Sequence, residues 1–362
     1  MLSLGILPFT LFATMKITKR TVASPFGDIL LFKMENPSGA SVEVSSLGAG
    51  ITSVRVPDKN GEIGEVALGY ANPADYMADG PCMGKIPGRY ANRIAKGHLE
   101  IDGITYQLSI NNGPNALHGG PEGFQNHLWE AEIIPNGVRF KYLSKAGEEH
   151  YPGSLTAIAE YTWSDDNVLT LVMKATTDAP TVVNLTNHAY FNLDGADAGS
   201  ILRHKLKLKA SRYLPTDETQ IPTGEFTPVA DTPMDFTASK EIGKDIDKDF
   251  QPLKIGKGYD HCWVIDEWKK GKLVEEAVVL EAAESGRVLT ISSTQPGVQV
   301  YTGNWLSGCP LNKSGKSYND YDGVAIEMQG FPDSPNKKNF PSQRLNPGEE
   351  YKETIKFAFT VE

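Results

Sequence analysis

The sequence predicts an all-β protein, a large antiparallel β-sandwich with few short helices, and three observations carry that prediction. Apolar and polar residues alternate with a period of two along several stretches. No 15-residue stretch sustains a 3.6-residue period. Gly- and Pro-rich turns recur between the alternating runs, as they do in a sandwich.

Taken along the chain, residues 1–14 read as an upstream read-through or a vestigial signal, and residues 15–362 as one domain. Leu2 to Ala13 is apolar, but Lys16, Lys19 and Arg20 follow it, whereas a secretory signal carries its positive charge first. The stretch is also too short to span a bilayer. Met15 is the expected start, which favours the cytoplasm; export is the alternative if residues 1–14 act as a signal. Asn72 followed by Pro73 and Asp75 predicts a capped helical turn. Val138, Phe140 and Tyr142 alternate with Arg139 and Lys141, a half-buried strand. Ala159–Trp163 and Val168–Lys174 flank Ser-Asp-Asp-Asn and predict a hairpin. Lys205–Lys209 has one wet and one dry face, and a short helix is expected near Ala238–Asp245. Val278–Ala283 and Val288–Ser293 flank Glu-Ser-Gly-Arg as a second hairpin. In the C-terminal run Ile355, Phe357, Phe359 and Val361 share the dry side.

Composition narrows the partners. The net charge is −10 with no cationic run, which argues against nucleic acid and for a neutral small molecule. Cys82, Cys262 and Cys309 are scattered and odd in number, neither a disulfide framework nor a zinc site, so buried or inert thiols in a reducing compartment are expected. No membrane contact is expected, and the protein is expected to be a monomer or weak homodimer.

Five stretches carry chemistry. In Val182–Leu193, read as a strand, Asn184, Thr186, His188 and Tyr190 share one face. A row of uncharged hydrogen-bonding groups suits a sugar pocket; a solvent-facing strand is the alternative. In Gly323–Gly330, Glu327 stands in an otherwise apolar strand. If buried there, its pKa would rise by desolvation, as suits a base near neutrality; an outward-pointing Glu is the alternative. The turn-like stretches Gly88–Gly97 and Asn111–Gly120 each offer one group able to reach a ligand, Arg93 and His118. In Gly258–Trp263, strand alternation separates His261 from Asp260 and Cys262, so no metal and no cofactor are expected. There is no Gly-x-Ser-x-Gly elbow, phosphate loop or dinucleotide motif.

Six blocks together resemble the aldose 1-epimerase (galactose mutarotase) family. They are Gly-Arg-x-Ala-Asn-Arg-Ile at 88–94, Asn-x-Leu-His-Gly-Gly at 115–120 and Asn-Leu-Thr-Asn-His-x-Tyr-Phe-Asn-Leu at 184–193. Tyr-Asp-His at 259–261, Gln-Pro-Gly-Val-Gln-x-Tyr-Thr-Gly-Asn at 295–304 and Glu-x-Gln-x-x-Pro-Asp-Ser-Pro-Asn at 327–336 complete the set. The resemblance implies a supersandwich of antiparallel sheets with the sugar in a cleft on one face. It implies Glu327 as base and His188 as acid, with Asn92, Arg93, His118, Asp260 and Gln299 holding hydroxyls and Tyr190 as a weaker addition.

The implied reaction interconverts the α and β anomers of a free aldohexose such as glucose or galactose. The ring opens as the base takes the C1 hydroxyl proton and the acid protonates the ring oxygen; rotation and reclosure reverse those roles, each group contributing roughly 10² to 10⁴-fold. An imidazole titrates near about 6.5, so a protonated His188 requires its neighbourhood to raise it, and Glu327 is the expected cause. A sandwich-fold glycoside hydrolase, with Asp260 and Glu327 as its two carboxylates, and a non-catalytic carbohydrate-binding protein are the alternatives. A variant acting on phosphorylated hexoses would need further cations around the cleft.

Overall fold

A computed structural model describes residues 15–362; the reading of residues 1–14 as read-through or signal lies outside the described residues. The period-two alternation becomes strands, as its geometry requires. Strand Tyr351–Val361 buries Ile355, Phe357 and Phe359. Val361, expected on the same dry side, is exposed because it is the strand's last residue, beyond the packed core.

Both expected hairpins form. Leu155–Trp163 pairs antiparallel with Val168–Thr177, Trp163 opposite Leu169. Val274–Glu281 pairs with Arg287–Ser293, Glu281 opposite Val288, and the turn closes through Gly286 at φ 70°. These strands belong to a nine-stranded antiparallel sheet. Its order is Glu130–Ile134, Gly137–Ser144, Leu155–Trp163, Val168–Thr177, Tyr351–Val361, Arg287–Ser293, Val274–Glu281, Lys205–Leu208 and Lys240–Glu241.

A six-stranded sheet faces it, in the order Tyr190–Phe191, Val324–Gln329, Gly297–Tyr301, Asp260–Val264, Arg212–Tyr213 and Thr227–Pro228. A five-stranded meander, from Lys16–Val22 to Ile63–Glu65, completes the sandwich. The sheets share a core. Phe191 of the six-stranded sheet lies 5.9 Å, ring to ring, from both Phe357 and Phe359 of the nine-stranded sheet. Phe32 of the meander meets Phe140 at 6.0 Å. Each such ring, fully buried, stabilises the sandwich by about 1.5–3 kcal/mol.

Helices are few. Asn72 caps the 3₁₀ turn Pro73–Tyr76 by accepting from the Ala74 N–H at 3.2 Å. The helix expected near Ala238–Asp245 is instead a short strand, Lys240–Glu241, and a 3₁₀ turn, Ile242–Lys244. The α-helix lies later, at Gln251–Gly256. Six residues are too few to show a 3.6-residue period, which is why the pattern did not reveal it.

Candidate active site

The six-stranded sheet builds the floor of a cleft by alternation. Its inner face carries Phe191, Val298, Val300, Val324, Ile326 and Met328 into the core. Residues directly opposite one another share a face. Glu327 pairs with Gln299 and Gln299 with Cys262, while Tyr190, Ala325, Tyr301 and Asp260 form the next rung. That outer face carries the cleft. Its volume is about 370 Å³, and Glu327, Asp260, Tyr190 and Tyr301 line it with His188, His118, Asn92 and Arg93. All six residues of Val324–Gln329 are buried. Glu327 itself is 2% exposed, so the outward-pointing alternative is wrong.

The Val182–Leu193 stretch departs from the expected regular strand. Only Thr181–Val182 and Tyr190–Phe191 lie in ladders. Between them the backbone bonds to the 84–91 segment: the His188 N–H donates to Lys85 O and the Gly84 N–H to His188 O, both at 2.9 Å. The expected polar face therefore splits. His188 and Tyr190 reach the cleft. Asn184 is a buried strut, donating to the carbonyls of Ala91 and Gly330 and accepting from the Gly330 N–H. Thr186 is buried behind the cleft, and its hydroxyl has no partner among the described residues. Tyr190 walls the cleft, but its hydroxyl is committed to Pro81 O at 2.9 Å.

Arg93 and His118 come together because Arg93–Ile94 pairs with Ala116–Leu117. Gly119 permits the approach: a Cβ there would lie 2.0 Å from Gly88 O. His118 Nδ1 accepts the Asn92 N–H at 3.1 Å, which leaves its Nε2 as the protonated nitrogen. Arg89, the other arginine of that block, is structural, donating to Pro152 O, Gly153 O and Ser144 Oγ.

A hydrogen-bond chain then runs round the wall. Arg93 Nη2 donates to Gln220 Oε1 at 2.6 Å, and Gln220 Nε2 donates to Asp260 Oδ2 at 2.7 Å. Gln299 Nε2 donates to Asp260 Oδ1, also at 2.7 Å. Arg93 Nε donates to Asn112 Oδ1. Gln220, Asn112, Tyr301 and Trp305 are lining residues that the sequence did not single out. Glu327 Oε2 and Gln299 Oε1 are buried with no partner among the described side chains and backbone. Buried polar atoms are nearly always paired, so such a cluster at a cleft floor marks where a polar ligand bonds.

Two titratable side chains of the lining are buried side by side. His188 Nε2 lies 3.4 Å from Glu327 Oε1, and the imidazole is 5% exposed. Burial pushes the Glu327 carboxyl well above the usual carboxylate range; Asp260 adds to that and Arg93 opposes it. Burial pushes His188 down to about 4, against its backbone hydrogen bond and the Asp79 and Asp260 carboxylates. The expectation that its neighbours raise the imidazole is overturned, because desolvation outweighs the opposite charges. The two shifts oppose each other: burial favours a proton on Glu327 and disfavours one on His188. Burial, with His188 and Arg93 alongside, holds His118 well below the ordinary imidazole range, so it is a neutral donor.

Asp260 and Cys262 face the cleft side, while His261 turns the other way against Trp263, ring to ring 6.3 Å. Among the described residues no group of three His, Cys, Asp or Glu side chains converges to hold a metal ion.

The aldose 1-epimerase family model matches residues 31–358. The galactose mutarotase of Sus scrofa is 40% identical over 351 residues, covering 93% of this chain and 98% of that one. The aldose 1-epimerase of Escherichia coli K12 is 38% identical over 335 residues, 92% of this chain and 95% of its own. Among solved structures, an aldose epimerase homologue from C. elegans superposes with a TM-score of 0.84 at 31% identity, covering 95% of this chain and 99% of that one. The galactose 1-epimerase of Lactobacillus acidophilus gives 0.83 at 26% identity, covering 96% and 99%.

Proposed function

The chain belongs to the aldose 1-epimerase family and interconverts the α and β anomers of free aldoses, and from that premise we propose that Glu327 is the base and His188 the acid. The observation that carries the assignment is their pairing: two buried titratable groups, 3.4 Å apart, in a cleft walled by hydrogen-bonding groups. Opening the ring needs Glu327 ionised and His188 protonated. Glu327 takes the proton of the C1 hydroxyl, His188 gives one to the ring oxygen, and the C1–O5 bond breaks. The open aldehyde then faces a protonated Glu327 and a neutral His188. After rotation about C1–C2, either face of C1 is closed by the reverse transfers.

Burial favours the neutral arrangement, the one that matches the open chain. A cyclic sugar shifts the proton to His188 because its C1 hydroxyl donates to the carboxylate and its ring oxygen accepts from the imidazolium, bonds that stabilise the charged forms. His118 Nε2–H, Arg93, Asn92 and the Asp260–Gln299 unit hold the remaining hydroxyls.

The family model and the relatives it matches carry anomer interconversion in their names, which favours that reading over the hydrolase alternative. Arg93 is the one cation lining the cleft among the described residues and is engaged by Gln220 and Asn112, which favours neutral hexoses over phosphorylated ones. Residues 15–362 act as one domain, since its largest core cluster runs from Phe32 to Phe359. One chain supplies every site residue, so a monomer or weak homodimer suffices. Three unpaired cysteines favour the cytoplasm; among the described residues no helix is long and apolar enough to cross a membrane. Polarimetry of freshly dissolved α-glucose and α-galactose tests the function: the enzyme accelerates equilibration of at least one. Release of product from a glycoside with no effect on free anomers would overturn it.

A further inference from the structure

Arg93 and Asp260 carry opposite charges into one cleft, from the short strand Arg93–Ile94 and from the start of Asp260–Val264. The two are joined through the side-chain amide of Gln220. Chemistry fixes which way that amide lies: its oxygen must face the guanidinium, which only donates, and its nitrogen the carboxylate, which only accepts. Gln220 Oε1 accepts from Arg93 Nη2 at 2.6 Å, and Gln220 Nε2 donates to Asp260 Oδ2 at 2.7 Å. The backbone holds the amide in place. Gln220 is half-buried on a turn, at φ 63°, a region uncommon for a residue with a side chain. Asp217 Oδ1 closes the turn by accepting the Thr219 and Ile221 N–H groups. Asn115, three residues before His118, donates to Thr219 O and ties the turn to the cleft wall.

A direct contact between Arg93 and Asp260 would satisfy each charge with the other and leave neither for a sugar. The amide prevents that at small cost in bonding capacity. Arg93 gives one hydrogen to Asn112 and one to Gln220, so three of its five stay available. Asp260 accepts one amide on each oxygen, from Gln220 and from Gln299, so each oxygen keeps a lone pair. We propose that Gln220 is a positioning residue that holds Arg93 and Asp260 apart and aims both at the sugar, so that each binds a hydroxyl rather than the other's charge. This rests on the anomer-interconverting assignment above, and it adds a residue that lies in none of the six sequence blocks.

The test measures anomerisation of glucose and of its 2-, 3-, 4- and 6-deoxy analogues in wild-type enzyme, Gln220→Leu and Gln220→Glu. Gln220→Leu keeps most of the bulk but removes the bridge, so KM for glucose should rise about tenfold with kcat within a few-fold. Wild-type enzyme should lose about tenfold or more in kcat/KM on at least one analogue, the one lacking a hydroxyl that Arg93 or Asp260 holds. In Gln220→Leu that penalty, relative to glucose, should shrink to less than about threefold, because the partner groups are no longer aimed. A merely structural residue would raise KM for every analogue alike. Gln220→Glu keeps the shape and an acceptor for Arg93 but sets a second carboxylate against Asp260. At about pH 8, well above the ordinary carboxyl range, its KM should be no lower than that of Gln220→Leu. An unchanged KM in Gln220→Leu, an undiminished deoxy penalty, wild-type KM in Gln220→Glu, or a wild-type enzyme indifferent to all four analogues would overturn the role. Failure of the wild-type enzyme on every free hexose would instead overturn the parent assignment. Asp217 rather than the Gln220 side chain closes the turn, so the variants should fold, and retained kcat checks that they have.

Discussion

Glu327 Oε1 lies 3.4 Å from His188 Nε2, and burial drives the proton affinities of the two groups in opposite directions. One proton shared between a carboxyl and an imidazole is the minimum inventory for a reaction that removes a proton at one oxygen and adds one at another.

Glu327→Gln should lower kcat by at least about 10²-fold while hexose binding survives. The carboxamide keeps the size and much of the hydrogen bonding but cannot accept the proton. Polarimetry gives the rate and calorimetry the binding. Half of wild-type turnover in this variant would remove Glu327 from the role of base.

Activity against pH should form a bell whose limbs belong to the pair. On the acid side His188, with its affinity lowered to about 4, takes up a second proton and the base is lost. On the alkaline side the single proton leaves a Glu327 carboxyl whose affinity is raised, and the acid is lost. His188→Asn should cost about 10²-fold or more and change the shape. Only Glu327 then titrates, and it must lose its proton to act, so residual activity should climb as pH rises through its raised pKa and stay high. An alkaline fall persisting in His188→Asn would mean that another group supplies the acid.

His118→Asn should act on binding instead. His118 sits at φ 52°, a conformation asparagine tolerates, and asparagine can both accept the Asn92 N–H and donate toward the sugar. KM should rise up to about tenfold, the scale of one hydrogen bond, with kcat within a few-fold and the alkaline limb in place. If His118→Asn removed that limb and His188→Asn only raised KM, the two histidines would exchange roles.

The strand carrying Glu327 was legible from its period-two run, but the run left an outward-pointing Glu open, and it was the resemblance of six blocks that singled the residue out. The terminal strand and both hairpins were legible from the same alternation. Asn184 and Thr186 were placed on the sugar face because period two assumes a regular strand. The backbone of Asn184 pairs instead with Arg89 and Ala91, and its side-chain amide donates to the Ala91 carbonyl, which fixes it inward. Gln220 left no periodic signal: it sits on a turn closed by Asp217, at φ 63°, and matters only because Arg93 and Asp260 arrive from distant elements. The direction of the His188 shift was missed because sequence shows a charge partner but not the depth at which the pair is buried.

The same limit hid a buried ion pair behind His188. Lys85 Nζ lies 2.5 Å from Asp79 Oδ1, with both side chains 1% exposed. Lys85 also donates to Tyr76 O and to Asn126 Oδ1, and Asp79 Oδ2 accepts from Tyr70 and from the Met83 N–H. The Lys85 carbonyl in turn accepts the His188 N–H, so the pair underlies the segment that holds His188. Lys85→Met keeps the side chain's length but leaves a carboxylate buried without its counter-charge. Such a break costs about 3–5 kcal/mol, because the penalty is the stranded charge rather than the lost attraction. Urea unfolding should register that loss in Lys85→Met. The double variant Lys85→Met/Asp79→Leu should recover part of it, since no ion is then left unpaired. A loss below about 1 kcal/mol in Lys85→Met, the range of surface pairs, would show that the Asp79 carboxylate is stabilised by Tyr70 and the Met83 N–H alone.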